Sequence, residues 1–262
     1  MRKSVGILGL FCLAAFGLGQ PQVQAEKPAK APAKKLTADE IIKGMDKNMV
    51  FGSRKTTSVM RIHKRGRTRS KKMLSYSKGQ DTSYSVFLSP ARDKGIKYLK
   101  IGDNLWMYLP SAEKVVKISG HMLRQSMMGS DFSYEDMLES RAMRESYNSK
   151  ILKSEKCGKL QCYVVELNQK KPGQTYPKRK YWITHKQFVP VRSEMYAASG
   201  RLMKVMLLSK VKEYEGRYYP TKIRMENKLK RGTWTEIVMT DIAFKVKLPG
   251  QVFSLRNLQR ED

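Results

Sequence analysis

Cys157 and Cys162 are the residues whose type and spacing most directly suggest chemistry. They bracket a four-residue turn, and Cys162 enters an alternating run that is typical of a β-strand. In an oxidising compartment such a pair is expected to form a disulfide across a hairpin. The alternative is a metal site, but zinc needs about four ligands, and the only histidines are scattered, at His63, His121 and His185. We therefore expect a disulfide and no bound metal.

Carboxylates offer no better basis for catalysis. Glu135 and Asp136 come closest to a carboxylate pair, but adjacent residues of a helix point in different directions. Charges at a helix terminus are the expected role. No phosphate-binding glycine loop, G-x-S-x-G or H-E-x-x-H motif is present. These patterns predict a protein that is not an enzyme and has no cofactor.

Residues 1–25 have the pattern of a secretory signal peptide. Basic residues precede an apolar run, and small or apolar residues ending at Ala25 occupy the usual cleavage spacing. We expect cleavage close to Ala25 and a mature chain in the periplasm. A lipid anchor would require Cys12 at the cleavage point, but Phe11 precedes it and the apolar run continues beyond it. We therefore expect no lipidation.

The net charge is strongly positive, +29 from 52 Lys and Arg against 23 Asp and Glu. Such a field attracts anionic surfaces, which outside the cytoplasm means phospholipid headgroups, lipopolysaccharide phosphates or acidic proteins. Nucleic acid is the usual partner of this charge, but the export signal argues against it. The alternative is a solvated basic surface that only aids solubility.

Beyond the leader, composition divides the chain into a linker and one domain. Residues 26–36 are rich in Pro, Ala and Lys, which is typical of a disordered linker. Residues 37–262, about 225 positions, lie within the range of a single all-β domain. Thr37 and Glu40 form a capping box, so a helix is predicted to begin there. Its apolar stripe, which must cover something, consists of Ile41, Ile42, Met45 and Met49.

Most of the remaining chain alternates apolar and polar residues between tight turns, as β-strands do. Long antiparallel meanders of this kind close into sandwiches or barrels. A helix is predicted over residues 130–147, with Asp131 and Ser133 available as caps, and the two helices are expected to cover the concave apolar face of a curved sheet. The strands are predicted at residues 56–63, 71–76, 84–88, 106–109, 115–118, 180–184, 189–197, 201–212, 218–228 and 233–246.

The stretch from Asn104 to Met137 joins an aromatic strand to a methionine-rich loop. Methionine side chains are flexible and polarizable, so they suit a surface that faces varied apolar ligands; the alternative is that they only fill a core. Strand alternation allows one of two sets to face inward. We favour the purely apolar set, Leu105, Met107 and Leu109, over the pair Trp106 and Tyr108.

Several segments resemble the outer-membrane lipoprotein-sorting protein family, the LolA-like periplasmic lipoprotein carriers. They are MYLPS from Met107, KISG from Lys117, Arg124, MGSDFSYEDM from Met128 to Met137, and TDIAFKVKLPGQVFSLRNLQR from Thr240 to Arg260. The resemblance implies a mainly β fold: an incomplete antiparallel β-barrel with helices covering its concave apolar face. It also implies a lid that fills the cavity without cargo and moves aside when acyl chains enter.

The expected function is a periplasmic carrier, or chaperone, that buries acyl chains of lipoproteins in an apolar groove during outer-membrane lipoprotein sorting. Its expected partners are lipoprotein acyl chains or another lipid, an inner-membrane transporter, an outer-membrane acceptor and an anionic membrane surface. Two alternatives are a periplasmic lipid carrier partnered with a membrane lipid exporter, and a basic adaptor that binds anionic envelope surfaces without cargo. The expected groove residues are Met60, Ile62, Leu74, Tyr76, Tyr84, Val86, Leu88, Leu105, Met107, Leu109, Val116 and Ile118; the expected lid residues are Met122, Leu123, Arg124, Met127, Met128, Phe132, Tyr134 and Met137.

Overall fold

The computed structural model describes residues 35–138 and 143–260. The predicted signal peptide (1–25) and nearly all of the predicted linker (26–36) lie outside the described residues. The helices are α1 Ala38–Met49, α2 Tyr134–Leu138, α3 Met143–Ser146 and α4 Leu255–Leu258. The strands are β1 Ser53–Lys64, β2 Arg67–Lys78, β3 Thr82–Ser89, β4 Lys97–Ile101, β5 Asn104–Leu109, β6 Lys114–Ile118, β7 Tyr147–Cys157, β8 Leu160–Gln169, β9 Lys178–Thr184, β10 Pro190–Tyr196, β11 Leu202–Tyr214, β12 Arg217–Asn227 and β13 Trp234–Phe244.

The first helix begins at the predicted capping box. The Glu40 amide donates to Thr37 Oγ1 at 3.2 Å, and the Thr37 amide donates to Glu40 Oε2 at 2.8 Å, so two amides at the start of α1 have partners. Ile41, Ile42 and Met45 are buried. They pack on the side chains that β7, β8 and β9 present to the helix.

The strands form one antiparallel sheet in the order β6-β5-β4-β3-β2-β1-β13-β12-β11-β10-β9-β8-β7. Every neighbour pair is consecutive in sequence except β1 and β13, which join the first and last strands. The two free edges, β6 and β7, are therefore also consecutive in the chain, and the segment between them carries α2 and α3. The predicted incomplete antiparallel barrel is confirmed: the sheet stays open between β6 and β7.

The inner face of the sheet is the one that α1 and α2 cover. On the half of the sheet formed by β1 to β6, this face carries a cluster of buried side chains that continues onto the segment after β6. This inner cluster consists of Met60, Ile62, Phe87, Ile96, Tyr98, Leu105, Ile118, Met127 and Tyr134.

The outer face of the same half carries a second apolar cluster. Its strand residues Tyr84, Val86, Leu99 and Tyr108 are covered by Val252 and Leu258 of the C-terminal segment. Lys97 Nζ donates a hydrogen bond to the carbonyl of Arg260 and so fastens this segment to β4. This C-terminal segment thus covers part of the outer face of the sheet.

The structure contains a strand that the alternating pattern does not predict. The strand β4, with Lys97 and Lys100 buried, was missed because lysines interrupt its apolar pattern. Within the predicted helix 130–147, the helical residues that the structure describes are those of α2 and α3, and residues 139–142 lie outside the described residues. Met137 packs on the inner cluster, whereas Met143 packs on the cluster beneath α1. The two described parts of this segment therefore pack on different clusters.

Candidate functional site

A cavity of about 330 Å³ lies between α1, the segment that carries α2 and α3, and the inner face of the sheet. Its volume is at the lower end of the range for ligand pockets, about 300–1,000 Å³. Thioether side chains adapt to irregular apolar shapes. The five methionines that line it come from four elements: Met45, Met49, Met137, Met143 and Met206.

The two basic side chains of the cavity wall have partners inside the protein. Lys100 Nζ donates to the carbonyl oxygens of Gln80 at 3.1 Å and Leu138 at 2.9 Å. Arg54 Nη1 donates to the hydroxyl of Tyr219. Since these groups are satisfied by the protein, an occupant of the cavity would meet mainly sulfur and carbon.

Asp46 is the acidic residue at this wall. Its Oδ1 accepts a hydrogen bond from the Met143 amide at 3.3 Å, and within the described residues Oδ2 has no hydrogen-bond partner. Burial raises the pKa of Asp46 above its usual value, against the opposing effect of hydrogen bonds from the Met143 and Arg144 main chain. The carboxylate is therefore destabilised in its ionised form beside the apolar cavity.

The helix α1 is held firmly at its side of the cavity. Buried Asn48 donates to the carbonyl of Gln187 at 2.6 Å and accepts from the amide of Tyr218 at 3.0 Å. At Gly44 a Cβ atom would lie 2.7 Å from the ring of Phe188, so only glycine allows this approach. These contacts make α1 a fixed wall.

Met137 lines the opposite wall and belongs to residues 120–138, which we call the lid. Met127 and Tyr134 are buried in the inner cluster, and Phe132 packs against it. The lid also bonds to itself: the Met127 amide donates to the Phe132 carbonyl at 2.8 Å, and Met128 and Gly129 adopt positive φ angles of 51° and 77° in the intervening turn. The lid is thus a compact loop whose apolar side chains fill the space under it.

Asp131 fastens the first part of the lid to the sheet. Its carboxylate accepts hydrogen bonds from the hydroxyls of Thr233 at 2.7 Å and Thr235 at 2.8 Å, and its amide donates to Thr235 Oγ1 at 2.9 Å. Asp131 and Thr235 are both buried. Hydrogen bonds to a charged acceptor are stronger than neutral ones, so this contact holds the lid against the β13 end.

Asp136 fastens the second part. Its Oδ2 lies 2.5 Å from Lys204 Nζ and accepts from the Ser133 amide at 2.7 Å, while Oδ1 accepts from the Tyr176 hydroxyl at 2.9 Å. The Lys204 and Asp136 side chains are only 9% and 8% exposed. We call Asp131, Asp136, Lys204, Thr233 and Thr235 the latch. Asp131 and Asp136 of the SDFSYED run therefore bind the lid to the sheet.

The structure brings part of the predicted groove together under the lid. Met60, Ile62, Leu105 and Ile118 are buried in the inner cluster, and Met107 and Val116 pack against it. The predicted lid residues Met122, Leu123, Met128, Phe132 and Met137 contact the same cluster, whereas Arg124 is exposed. Leu109 is half-buried outside the clusters. Of the two alternative sets, Trp106 and Tyr108 belong to the outer cluster.

Four predicted groove residues lie on the other face, and this corrects the sequence assignment. The two-residue turn after Lys64 pairs it with Arg67, so Met60 lies opposite Lys71 and not opposite an even-numbered residue. A shift of one residue moves the side chains to the opposite face. Leu88 is exposed at 38%. The residues that therefore belong to the outer cluster are Leu74, Tyr76, Tyr84 and Val86.

Cys157 and Cys162 occur in the structure as free thiols, so the disulfide expected from their spacing is not formed there. In the β7–β8 ladder Cys157 lies opposite Leu160 and Cys162 opposite Glu155, which makes the two cysteines diagonal neighbours. Burial raises the pKa of the Cys162 thiol, and a hydrogen bond with Cys157 adds to the shift. The thiols are in contact, and their oxidation stays a prediction.

Sequence reasoning missed the cavity methionines of α1 and β11 and the latch cation. A signal for the latter was available, since Lys204 interrupts the apolar run LMKVMLL of β11. A buried lysine is rare unless it is paired, so its position called for a carboxylate partner. The partner Asp136 is remote in sequence and could be found only from the fold.

Among the described residues, no helix is both long and apolar enough to cross a membrane. The same part of the chain contains no group of three His, Cys, Asp or Glu side chains arranged to hold a metal ion.

Comparison with known proteins finds solved structures that are similar to this chain in sequence and fold. A family profile described as "uncharacterized protein" matches residues 79–260, and no curated protein matches. A DUF1329 family protein from Desulfovibrio piger is 27% identical with a TM-score of 0.78, over 84% of this chain and 96% of that one. An outer membrane lipoprotein-sorting protein domain from Vibrio parahaemolyticus is 25% identical (TM-score 0.75; 85% and 97% covered). A LolA superfamily protein from Nitrosomonas europaea is 25% identical (TM-score 0.71; 85% and 99% covered).

Proposed function

Because the chain belongs to the LolA-like family of outer-membrane lipoprotein-sorting proteins, we propose that it is a periplasmic carrier for acyl chains of lipoproteins. The acyl chains would be buried in the cavity between α1, the lid and the inner face of the sheet. An inner-membrane transporter would supply the cargo and an outer-membrane acceptor would receive it.

The observation that carries this proposal is the methionine lining of the cavity. Each acyl CH₂ group left in water costs about 0.8 kcal/mol, so a long chain needs an apolar container to cross an aqueous space. Five thioether side chains from α1, α2, α3 and β11 provide such a surface. Their flexibility suits cargo of variable length and branching.

The lid supplies a way to change the capacity of the cavity. In this structure the closed cavity is small, about 330 Å³, and the space beneath the lid is filled by Met127, Phe132 and Tyr134. Outward movement of the lid would exchange these protein contacts for contacts with cargo. The latch sets the cost of that movement, because its carboxylates and Lys204 must separate when the lid leaves the sheet.

The cavity is tested by placing a charge inside it. Met206→Asp should weaken binding of a fluorescent fatty acid at least about tenfold, because a charge in an apolar site costs several kcal/mol. Met206→Trp, which fills the cavity without adding charge, should weaken binding as well. The matched control is Leu160→Asp, since Leu160 is 50% exposed at the β7–β8 turn. Folded variants that all bind the probe like the parent would place the groove elsewhere.

The class of cargo is tested with the unmodified mature protein. A purified triacylated lipoprotein should form a soluble complex with it, and inner-membrane vesicles that carry a lipoprotein-releasing transporter should deliver lipoprotein to it. Delivery of phospholipid without lipoprotein would favour the lipid carrier that works with a lipid exporter. Absence of any bound lipid after purification from the periplasm, together with failure of both transfers, would leave only the basic adaptor.

A further inference from the structure

A second cleft, of about 570 Å³, lies at the β1–β2 hairpin beside the turn of the lid. It is separate from the methionine cavity, since no residue lines both. Six of its nine lining residues are cations, and the other three are Ile62, Met128 and Gly129. The cations are Lys64, Arg65, Arg67, Arg69, Lys71 and Arg92.

Asp93 balances only part of this charge. Buried Lys71 forms an ion pair with Asp93, and Arg92 Nε lies 3.6 Å from the same carboxylate. For the other four cations, no ion pair with a carboxylate is found within residues 35–138 and 143–260. Lys64, Arg65, Arg67 and Arg69 are all exposed. The cleft therefore presents a concentrated positive field to solvent.

The hairpin keeps these cations close together despite their repulsion. Lys64 lies directly opposite Arg67 in the ladder, and like charges in that position destabilise a strand pair. The turn residue Arg65 has a φ of 51°, in a region where glycine and asparagine are preferred. Selection for hairpin stability alone would not favour this arrangement, whereas recognition of an anion would.

The chemistry of the cleft fits phosphate on one side and hydrocarbon on the other. Arginine presents a planar fork of donors that matches phosphate oxygens. Ile62 belongs to the inner cluster and Met128 packs against it, so the apolar wall of the cleft is continuous with the contacts under the lid. Such a boundary between cationic and apolar surface matches a lipid headgroup joined to its chains.

We propose that this cleft binds the phosphate of an anionic lipid headgroup at a membrane surface and thereby brings the lid to the membrane. The proposal deepens the proposed carrier function and rests on it for the envelope setting, but it does not require that acyl chains enter the methionine cavity. Binding at the hairpin would place the Met128 turn at the headgroup layer, where a lipid chain would leave or enter.

The test uses the mature protein and vesicles of phosphatidylcholine with about 30% phosphatidylglycerol. The cleft variant Lys64→Gln/Arg67→Gln/Arg69→Gln is compared with Lys150→Gln/Lys156→Gln/Lys159→Gln, which loses the same charge from exposed positions on the β7–β8 hairpin. Each cation near an anionic membrane strengthens binding about fivefold. The cleft variant should therefore sediment with vesicles at least about tenfold more weakly than the parent, and the control variant less than about twofold.

Further measurements separate the sources of phosphate and the two sites. Inorganic phosphate at about 10 mM and matched ionic strength should not displace the parent from vesicles; displacement would identify a site for free phosphate and overturn the proposal. Tighter binding to a DNA duplex than to vesicles would overturn it too, as would equal losses in both triple variants. Fluorescent fatty-acid binding should stay at the parental level in the cleft variant, whereas Met206→Asp should keep vesicle binding. Failure of the carrier proposal is thereby distinguishable from failure of this one.

Discussion

Removal of the Lys204 ammonium group should release the lid while leaving the sheet folded. In Lys204→Met the chain keeps a side chain of similar length, but Asp136 loses the cation that lies 2.5 Å from its Oδ2. Removing one partner of a buried ion pair costs about 3–5 kcal/mol. Asp136 keeps hydrogen bonds from Tyr176 and from the Ser133 amide, so we expect the lower end, about 3 kcal/mol.

This free energy should appear mainly as easier opening of the lid. A change of about 3 kcal/mol raises the open population roughly 100-fold, at 1.4 kcal/mol for each factor of ten. If cargo binds the open form, its apparent affinity should rise with the open population. Hydrogen exchange of the lid amides, read with fluorescent fatty-acid binding, measures both effects. Lys212→Met, at an exposed position of the same strand, is the control and should change neither.

A double-mutant cycle separates the charge effect from lost packing. Asp136→Asn in the Lys204→Met background removes the unpaired buried charge, so the double variant should exchange its lid amides more slowly than Lys204→Met alone. The reasoning is refuted if Lys204→Met folds normally with parental lid exchange and parental affinity, or if the effects of the two substitutions simply add.

Three further predictions concern Asp46, the cysteine pair and the start of the exported chain. Folding raises the pKa of Asp46 from 3.8 through burial, so ionisation costs stability above the folded pKa and costs none below 3.8; Asp46→Asn should raise the melting temperature at pH 7, and the gain should vanish towards pH 3.8. If Cys157 and Cys162 pair in the periplasm, a reductant should lower the stability of the parent by about 2 kcal/mol and leave Cys157→Ser/Cys162→Ser unchanged; free thiols in the unreduced protein would contradict the pairing. Mass spectrometry of the exported protein should find a chain that begins close after Ala25, and an acylated chain beginning at Cys12 would overturn the expectation of an unanchored carrier.

The fold could be predicted from the sequence further than the site. Alternation within single strands and the capping box at Thr37 are local signals, and both led to elements that the structure contains. The relation between neighbouring strands depends on turn length, and the turn after Lys64 reversed the faces expected for Leu74 and Tyr84. The length of a turn decides which residues of the two strands it joins share a face, and the pattern of a single strand does not show this.

The cavity and latch were beyond local reasoning for a different reason. The methionine at position 45 read correctly as part of an apolar stripe, but what that stripe covers is set by β8 and β9, more than a hundred residues later in the chain. The ion pair of Lys204 with Asp136 joins residues 68 positions apart. Such contacts are decided by the order of strands in the sheet, and no spacing rule within one segment reports them.

The two free edges of the sheet affect how readily copies of the protein associate at high concentration. Unpaired strand edges template association with other chains, and lysine is a common safeguard against it. Lys114 and Lys117 lie on β6, while Lys150, Lys153 and Lys156 lie on β7. Pairing of these edges, within one molecule or between two, would bring their ammonium groups close together. Repulsion between these lysines therefore opposes pairing of β6 with β7, both within one molecule and between neighbouring copies.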